Sequence, residues 1–473
     1  MIQKAIRPPE VMPSVYGPIP RVQRAADLPD MASLRVRDLF PDISQEIFLH
    51  GGDLSVIRRA TVEALSSVPM DRIRPHETIN ILCSEHGFSI LGGKPYVEML
   101  KTIRDVVREN TGADSRLKVA AYIGFRETDE VIEHFKLRDD FEQVGSIGPW
   151  DRGVPIETEI GTLYGVAGAY DADWFIHAYY DDPREMYFHR YVHRALKAYV
   201  MSYARYETRA AYHFGFGSRS GQFLPKAIFD SPFVQERHAF SCILRSSPAG
   251  IIGIDADTDL YRIDHRINVH HLKDFGKMQR LFAALDECIV VWDGGRWGYY
   301  VHAGGVCFGV FMNAEYDPFD LSKPFTFSGF DLLLKDPFGE SNTIMTPHPS
   351  IKAAVINQAW PGIIVTDLPR FVPTIVVGRD QAEMYSQDST NPRFMEYAVT
   401  GETLEAAMDF ARRIAGTDKV LVFDGSFGNI TLTPSLAEDL IAKAPEVSRR
   451  VDEELLPMWL KQRGIDPESE QNV

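Results

Sequence analysis

The chain has 473 residues, of which 45% are hydrophobic, 25% charged and 11% aromatic. This composition is typical of a folded globular protein and excludes a disordered, collagen-like or coiled-coil chain. The formal net charge of −16 disfavours nucleic acid and anionic membrane surfaces as partners. No apolar run reaches the ~18–20 residues that cross a bilayer, and the N-terminus lacks the apolar stretch of a signal peptide, so we expect a cytoplasmic protein.

The four cysteines are too dispersed for a disulfide framework or a thiolate zinc site. Cys83, Cys242, Cys288 and Cys307 lie far apart, and none belongs to a C-x-x-C pair. Three of them are flanked by apolar residues. We therefore expect buried, chemically inert thiols.

After a proline-rich arm, which we expect on the surface of the fold, strands and helices alternate along the chain. Apolar runs predict strands at 79–82, 118–123 and 174–178. Amphipathic patterns predict helices at 53–65, 95–110, 127–135 and 184–206. In the first of these helices Val56, Ala60 and Val62 or Ala64 form the predicted apolar side. Strand, helix and strand at this spacing predict β-α-β units and a parallel sheet.

The second half of the chain shows the same alternation around a loop-rich segment. Apolar runs predict strands at 249–254, 288–292, 304–312, 374–377 and 419–423. Thr403 is the predicted N-cap of a helix that runs to Ala415. Residues 313–350 are rich in loops and aromatic residues, which indicates an insertion or a lid.

These patterns predict a two-domain α/β protein. We expect parallel or mixed sheets, flanking helices and a cleft between the domains. The predicted divisions are an arm at 1–30, an N-terminal domain at 31–250 and a C-terminal domain at 251–473 that carries the insertion.

A glycine-rich loop with flanking histidines is the first candidate for chemistry. His213 and His238 flank residues 215–221, and Lys226 lies between the two histidines. Together they offer an acid–base group, a tether or charge, and a metal ligand. The alternative is a tight turn with unrelated surface histidines.

Several segments together resemble the nickel-pincer-dependent lactate racemase family. They occur in the order that the family shows, over most of the chain. The segments are ETINILCSEHGF, LKVAAYIGFRETDEVIEHF, Gly161 and Gly165 followed by YDADW, HFGFGSRSGQFLPKAI, and EYAVTGETLEAAMDFARRIAGTDKVLVFDGSFGNITLTP.

The resemblance implies a cleft that binds nickel through a lysine-attached organic pincer and a histidine. The metal–pincer unit takes hydride from the α-carbon of a 2-hydroxy acid and returns it to either face. Two histidines alternate as base and acid on the substrate hydroxyl group. Such an acceptor is needed because the hydrogen on the hydroxyl-bearing carbon is not acidic. The implied partners are a small hydroxy acid and the proteins that synthesise the pincer cofactor.

The resemblance assigns metal and cofactor residues. His238 stands near the position of the nickel histidine, and His213 near one acid–base histidine. Gly221 stands where the family has its cofactor lysine, and Lys226 follows five residues later as the candidate tether.

It also assigns residues for proton transfer and for the substrate carboxylate. Glu85 replaces the aspartate of the family's D-H-T-R segment, and His86 matches its histidine. Arg126 and Arg219 are the candidate carboxylate anchors, because a guanidinium pairs with a carboxylate through two hydrogen bonds.

The leading interpretation is thus a lactate racemase-like isomerase for a 2-hydroxy acid, with the abundant aromatic residues favouring a substrate larger than lactate. Two alternatives stay open. One is an acid–base or divalent-metal lyase or hydrolase on the same scaffold, and the other is a non-enzymatic ligand-binding relative.

Overall fold

The computed structural model describes most of the chain. The described residues are 2–10, 12, 18–121, 125–181, 194–212, 223–295, 317–323, 347–359, 368–387 and 393–466. The strand predicted at 304–312 and most of the predicted insertion lie outside them. Within the described residues, every helix is too short or too polar to cross a membrane.

The chain divides into two compact α/β units. The first unit comprises Glu46–Ser246 and Ile251–Asn268, and the second comprises Met1–Gln45, Ser247–Gly250 and Val269–Val473. The chain therefore passes between the units several times, and the predicted boundary at 250 falls at one of these passages. The predicted cleft between the domains stays a prediction.

Sixteen strands are present in the described residues. In chain order they are β1 Ile2–Lys4, β2 Ala32–Arg35, β3 Thr78–Ser84, β4 Asp114–Ala120, β5 Val144–Ile147, β6 Gly153–Thr158, β7 Gly161–Val166, β8 Trp174–Tyr180, β9 His238–Ser247, β10 Gly250–Asp257, β11 Cys288–Asp293, β12 Ile351–Gln358, β13 Thr374–Val377, β14 Val399–Gly401, β15 Val420–Phe423 and β16 Asn429–Leu432.

The α-helices of the described residues vary widely in length. They are α1 Val36–Leu39, α2 Ser55–Leu65, α3 Lys94–Thr111, α4 Phe125–His134, α5 Leu137–Asp140, α6 Arg194–Lys197, α7 Tyr206–Ala210, α8 Phe223–Phe229, α9 Pro232–Gln235, α10 Leu260–Ala283, α11 Leu368–Phe371, α12 Arg379–Ser386, α13 Phe394–Tyr397, α14 Leu404–Ala415, α15 Pro434–Arg450 and α16 Leu456–Gln462.

The first unit is built on a six-stranded sheet. Its strand order is β10-β9-β8-β3-β4-β5, and the pairs β9–β8, β8–β3, β3–β4 and β4–β5 are parallel. Only two residues join β9 to β10, so these neighbours run antiparallel. A separate hairpin, β6–β7, completes the unit.

The second unit is built on an eight-stranded mixed sheet. Its order is β1-β2-β16-β15-β11-β12-β13-β14, with a parallel run from β15 to β14 and antiparallel pairing from β15 through β16 and β2 to β1. Helix α14, the arm residues Ala25 and Leu28, and Met31 pack in the core of this unit. The prediction of an α/β protein with parallel and mixed sheets and flanking helices is confirmed.

Local sequence accounts for the best-predicted helix. Thr403 Oγ1 accepts a hydrogen bond from Ala406 N at 3.2 Å, and Gly416 ends the helix in the left-handed conformation. The helix therefore spans the residues that the cap and the apolar period predict.

Three other predictions need correction. Helix α2 exists, but it buries Ile57, Thr61 and Leu65 in place of the predicted side, and Val62 is exposed. The helix predicted to reach residue 206 is broken after residue 200, within its described part. The arm is only partly a surface segment, because Ala25 and Leu28 are buried.

The described cysteines are buried as predicted. Burial raises the pKa of the thiols of Cys83, Cys242 and Cys288, and no disulfide links these three residues. A thiol that is held neutral is a poor nucleophile and a poor metal ligand. Cys307 lies outside the described residues.

Candidate functional site

The strand order of the first unit defines a topological switch point. From β3 the chain continues through β4 to β5 on one side, and it returns later to place β8 and β9 on the other side. In open α/β sheets, ligands bind outside the carboxyl ends of the strands where this reversal occurs. In the first unit that position is where β3 and β8 end.

Glu85 and His86 follow directly after β3 at this position. Both side chains are buried, and His86 Nε2 lies 4.0 Å from Glu85 Oε1. Asp181 follows β8 and is also buried. Its carboxylate accepts hydrogen bonds from Ser246 N at 2.9 Å and Ser246 Oγ at 2.7 Å, which ties the end of β8 to β9.

The turn that carries Glu85 and His86 is fixed by Tyr96 of α3. The Tyr96 hydroxyl donates to Ala178 O at 2.7 Å and accepts from Ser84 N at 3.4 Å, so it lies between the ends of β3 and β8. A Cβ at Gly87 would lie 2.2 Å from Tyr96 Cε1. Only glycine at 87 therefore lets the tyrosine ring approach the turn this closely.

Two further buried charged residues lie at the same edge of the sheet. Glu127 is in the first turn of α4, which follows β4. Arg209 of α7 donates to Ala204 O at 3.1 Å and to Ala121 O at 3.0 Å, immediately beyond the end of β4. We call Glu85, His86, Glu127, Asp181 and Arg209 the switch-point cluster.

Charged side chains are almost never fully buried unless they are paired, so their concentration at one edge of a sheet is uncommon. The switch-point cluster gathers carboxylates, an imidazole and a guanidinium at the ends of three neighbouring parallel strands. Together they can bind a carboxylate, hold a proton and return it. This edge is therefore the candidate active site of the first unit.

The second unit has a switch point of its own, between β11 and β15. Asp293 ends β11 and Asp424 follows β15. Arg24 of the arm donates through Nε to Asp293 Oδ1 at 2.9 Å, and Ala25 N donates to Asp293 Oδ2 at 2.6 Å. The N-terminal arm thus covers the position at which a ligand would bind this sheet.

His238, the predicted metal ligand, lies at the other end of the first unit's sheet. It begins β9 and pairs in register with Phe175, near the start of β8. Through β8 it is level with Asn80, so Glu85 lies about 15 Å further along the strand direction. The structure therefore does not bring His238 together with Glu85 and His86.

The surroundings of His238 are those of a core residue. Its side chain is 4% exposed and packs against the rings of Phe175 and Phe229, and Nε2 lies 3.0 Å from Ser241 Oγ. Burial lowers the pKa of His238 to about 4, and the positive charge of Arg72 contributes in the same direction. The imidazole is neutral at pH 7, with one nitrogen already hydrogen-bonded.

Lys226, the predicted cofactor tether, lies near His238 and away from the switch-point cluster. Its ammonium pairs with Asp230 and lies 5.2 Å from the centre of the Tyr261 ring. It lines a cavity of about 340 Å³ together with Glu157 and Glu159. Carboxylates dominate this cavity, so its charge favours a cation over the phosphate or carboxylate of an anionic cofactor.

The described residues alone do not assemble a nickel-pincer site. His238 is enclosed by aromatic rings, and Lys226 is neutralised by Asp230 at the end of the sheet remote from Glu85. Among the residues described, no group of three or more His, Cys, Asp or Glu side chains is placed to hold a metal ion. His213 and Arg219 lie outside the described residues, and of Arg126 only the backbone position, the second residue of α4, is described.

The sequence analysis does not identify Glu127, Asp181, Arg209 or the aspartates of the second switch point as site residues. A usable signal was present for the aspartates, since Asp181, Asp293 and Asp424 each stand at the end of an apolar strand sequence: WFIHAYYD, CIVVWD and VLVFD. Arg209 gives no such signal, because only the tertiary fold brings it to the end of β4.

Comparison of the chain with protein-family models and with curated proteins finds no match.

Proposed function

We propose that the protein interconverts stereoisomers of a 2-hydroxy acid at the switch-point cluster. The observation that carries this proposal is the buried pair of Glu85 and His86, placed where β3 ends beside β8. The resemblance to the lactate racemase family supports the substrate class. A cytoplasmic location belongs to the same proposal.

In this proposal Glu85 and His86 take up and return the proton of the substrate hydroxyl group. One of them would accept the hydroxyl proton while the hydrogen on the hydroxyl-bearing carbon leaves as a hydride to an acceptor, and the pair would return the proton when the hydride comes back to the opposite face. Arg209 and Arg126 belong to the two elements that flank the end of β4, and a guanidinium from either would bind the substrate carboxylate. Burial of Glu85, His86 and Arg209 strengthens each of these interactions, because charges interact more strongly in a low-dielectric environment.

Inversion also requires that the hydrogen on the hydroxyl-bearing carbon leave and return. That hydrogen is not acidic, so it would move as a hydride to an acceptor. Lys226 and His238 lie away from Glu85. Their positions therefore do not show where a hydride acceptor would bind beside the proposed acid–base pair.

A second function is favoured by that same placement. With no hydride acceptor, Glu85 and His86 would act as base and acid in a lyase or hydrolase reaction on a hydroxy acid. The two functions differ in the fate of the hydrogen on the hydroxyl-bearing carbon, which makes them separable by isotope labelling.

The test uses 2-deuterated hydroxy acids in ordinary water, with protein made in a host that synthesises the pincer cofactor. The proposal predicts inverted product that keeps its deuterium, because a returned hydride does not exchange with solvent. Elimination or hydrolysis products in place of inversion would establish the second function. Binding without turnover of any substrate would overturn both and indicate a ligand-binding protein.

A further inference from the structure

An exposed pair of stacked aromatic rings lies at the same edge of the first unit's sheet as the switch-point cluster. Trp150 and Tyr206 are 62% and 47% exposed, their ring centres are 4.7 Å apart, and their planes differ by 18°. Together the two exposed rings form one apolar surface patch, and such patches mark binding sites when polar residues surround them.

The chain holds this pair in place by specific local structure. Trp150 lies in the turn Gly148–Asp151 that follows β5, in which Asp151 N donates to Gly148 O at 3.1 Å and Asp151 Oδ2 accepts from Gly148 N at 3.0 Å. Pro149 favours this turn because its ring fixes the backbone angle φ. Tyr206 N donates to Pro149 O at 3.1 Å, which sets the tyrosine beside the tryptophan.

The pair is continuous with the candidate active site through α7. Tyr206 and Arg209 are three residues apart on that helix and therefore share one face. Arg209 reaches the end of β4, whereas Trp150 follows the end of β5. The edge thus presents, in order from β3 to β5, the acid–base pair, the guanidinium and the aromatic platform.

We propose that Trp150 and Tyr206 form a subsite for a pyranose ring of the substrate. This inference rests on the proposed function and names its substrate class: a 2-hydroxy acid that carries a glycosyl ring. The C–H groups on one face of a pyranose are attracted to the negative face of an aromatic ring. Arg205 and Glu207, which pair at 3.1 Å beside Tyr206, supply hydrogen-bonding groups for the sugar hydroxyls.

Strand spacing decides against an aryl ring attached directly to the reacting carbon. Two strand intervals separate β3 from β5, and Trp150 lies beyond the end of β5, so the platform is at least about 10 Å from the end of β3. A ring bonded to the hydroxyl-bearing carbon cannot span that distance. A glycosyl aldonic acid such as cellobionate, whose sugar ring lies several bonds from its carboxylate, can.

The test compares the affinities of cellobionate, gluconate and lactate for the full-length protein by calorimetry. We expect cellobionate to bind about tenfold more tightly than gluconate, and we expect Trp150→Ala to abolish this difference. Trp150→Phe keeps an aromatic ring and should retain most of the affinity difference between cellobionate and gluconate. Phe371→Ala removes an exposed ring of the second unit and is the matched control.

Three outcomes would overturn the subsite. They are equal binding of cellobionate and gluconate to the wild type, a preference that persists in Trp150→Ala, and a dimer in sedimentation that Trp150→Ala dissociates. The last would make the pair a protein interface. Binding of methyl β-glucoside, which has the sugar ring but no carboxylate, is measured by saturation-transfer NMR. Because this probe tests the ring subsite alone, its result separates a failure of the subsite from a failure of the proposed reaction.

Discussion

Glu85 and His86 owe their proposed role to the way in which the main chain leaves β3. Ser84 is still extended, and the next residues turn beneath the ring of Tyr96. The two functional side chains are thus positioned by a residue from another element and by the missing Cβ of Gly87. Substitutions that disturb this support should act on both stability and activity.

Gly87→Ala tests that support. The new methyl group would overlap the Tyr96 ring, so we expect a loss of about 1–3 kcal/mol in the free energy of unfolding, measured by urea denaturation. The control is Gly145→Ala in β5, where a Cβ meets no atom within 4 Å. Equal stability of the two variants would show that Tyr96 does not fix the turn.

His238→Gln tests whether this histidine is a core residue. The folded-state pKa of His238, about 4, lies below its ordinary value of 6.5, so only the unfolded chain takes up this proton between those pH values. Wild-type stability should therefore fall by about 3 kcal/mol as the pH drops from 6.5 to 4 on account of this residue. Glutamine does not titrate, and the variant should lack this part of the loss.

The measurement is chemical denaturation at several pH values between 4 and 7.5. His134→Gln changes an exposed histidine of the same unit and is measured in parallel as a control for the substitution itself. If His238→Gln retains the full pH dependence, the buried, neutral imidazole described above is contradicted.

The N-terminal arm acts as an element of the second unit's core. Arg24 and Ala25 bind the carboxylate of Asp293, and Asn357 Nδ2 donates to the same carboxylate at 2.8 Å. Burial raises the pKa of Asp293 to about 6 although Arg24 acts in the opposite direction. The arm therefore neutralises a charge that the sheet would otherwise leave buried.

Arg24→Ala should destabilise the protein by about 3–5 kcal/mol at pH 8, because it leaves the carboxylate of Asp293 without its guanidinium. The folded-state pKa of Asp293 lies above its ordinary value of 3.8, so ionisation costs stability as the pH rises through that range. The destabilisation caused by Arg24→Ala should consequently be smaller at pH 5, where Asp293 takes up a proton.

Denaturant titrations at pH 5 and pH 8 measure both effects. Arg379→Ala breaks an exposed ion pair with Glu402 and should cost less than about 1 kcal/mol at either pH. A similar small cost for Arg24→Ala would show that the arm is dispensable, as a surface segment would be.

Elements with strong local signals could be predicted from the sequence, and elements defined by pairing could not. Helix α14 has a side-chain cap, a four-residue apolar period and a terminal glycine. Helix α2 offers apolar residues on two sides, and only packing selects Ile57 and Leu65. The sequence does not predict strand β9, because buried polar residues interrupt its apolar run. The position of His238 at the amino end of that strand is therefore not predicted either.

At the scale of the whole molecule, both units place acidic residues where the strand order reverses. Strand order depends on pairing between residues that are far apart in sequence, so neither switch point is visible in the sequence alone. The first unit presents an acid–base pair at this position, whereas the second covers Asp293 with its own arm. We therefore expect the reaction to depend on the first switch point.

The rate of stereoinversion of a 2-hydroxy acid by Glu85→Gln tests this account most directly. We predict a loss of at least about a hundredfold relative to the wild type, since the variant keeps the shape of the side chain and lacks its proton transfer. The matched control, Asp424→Asn at the second switch point, should retain the wild-type rate. Full activity in Glu85→Gln, or loss of activity only in Asp424→Asn, would contradict the assignment of the active site to the first unit.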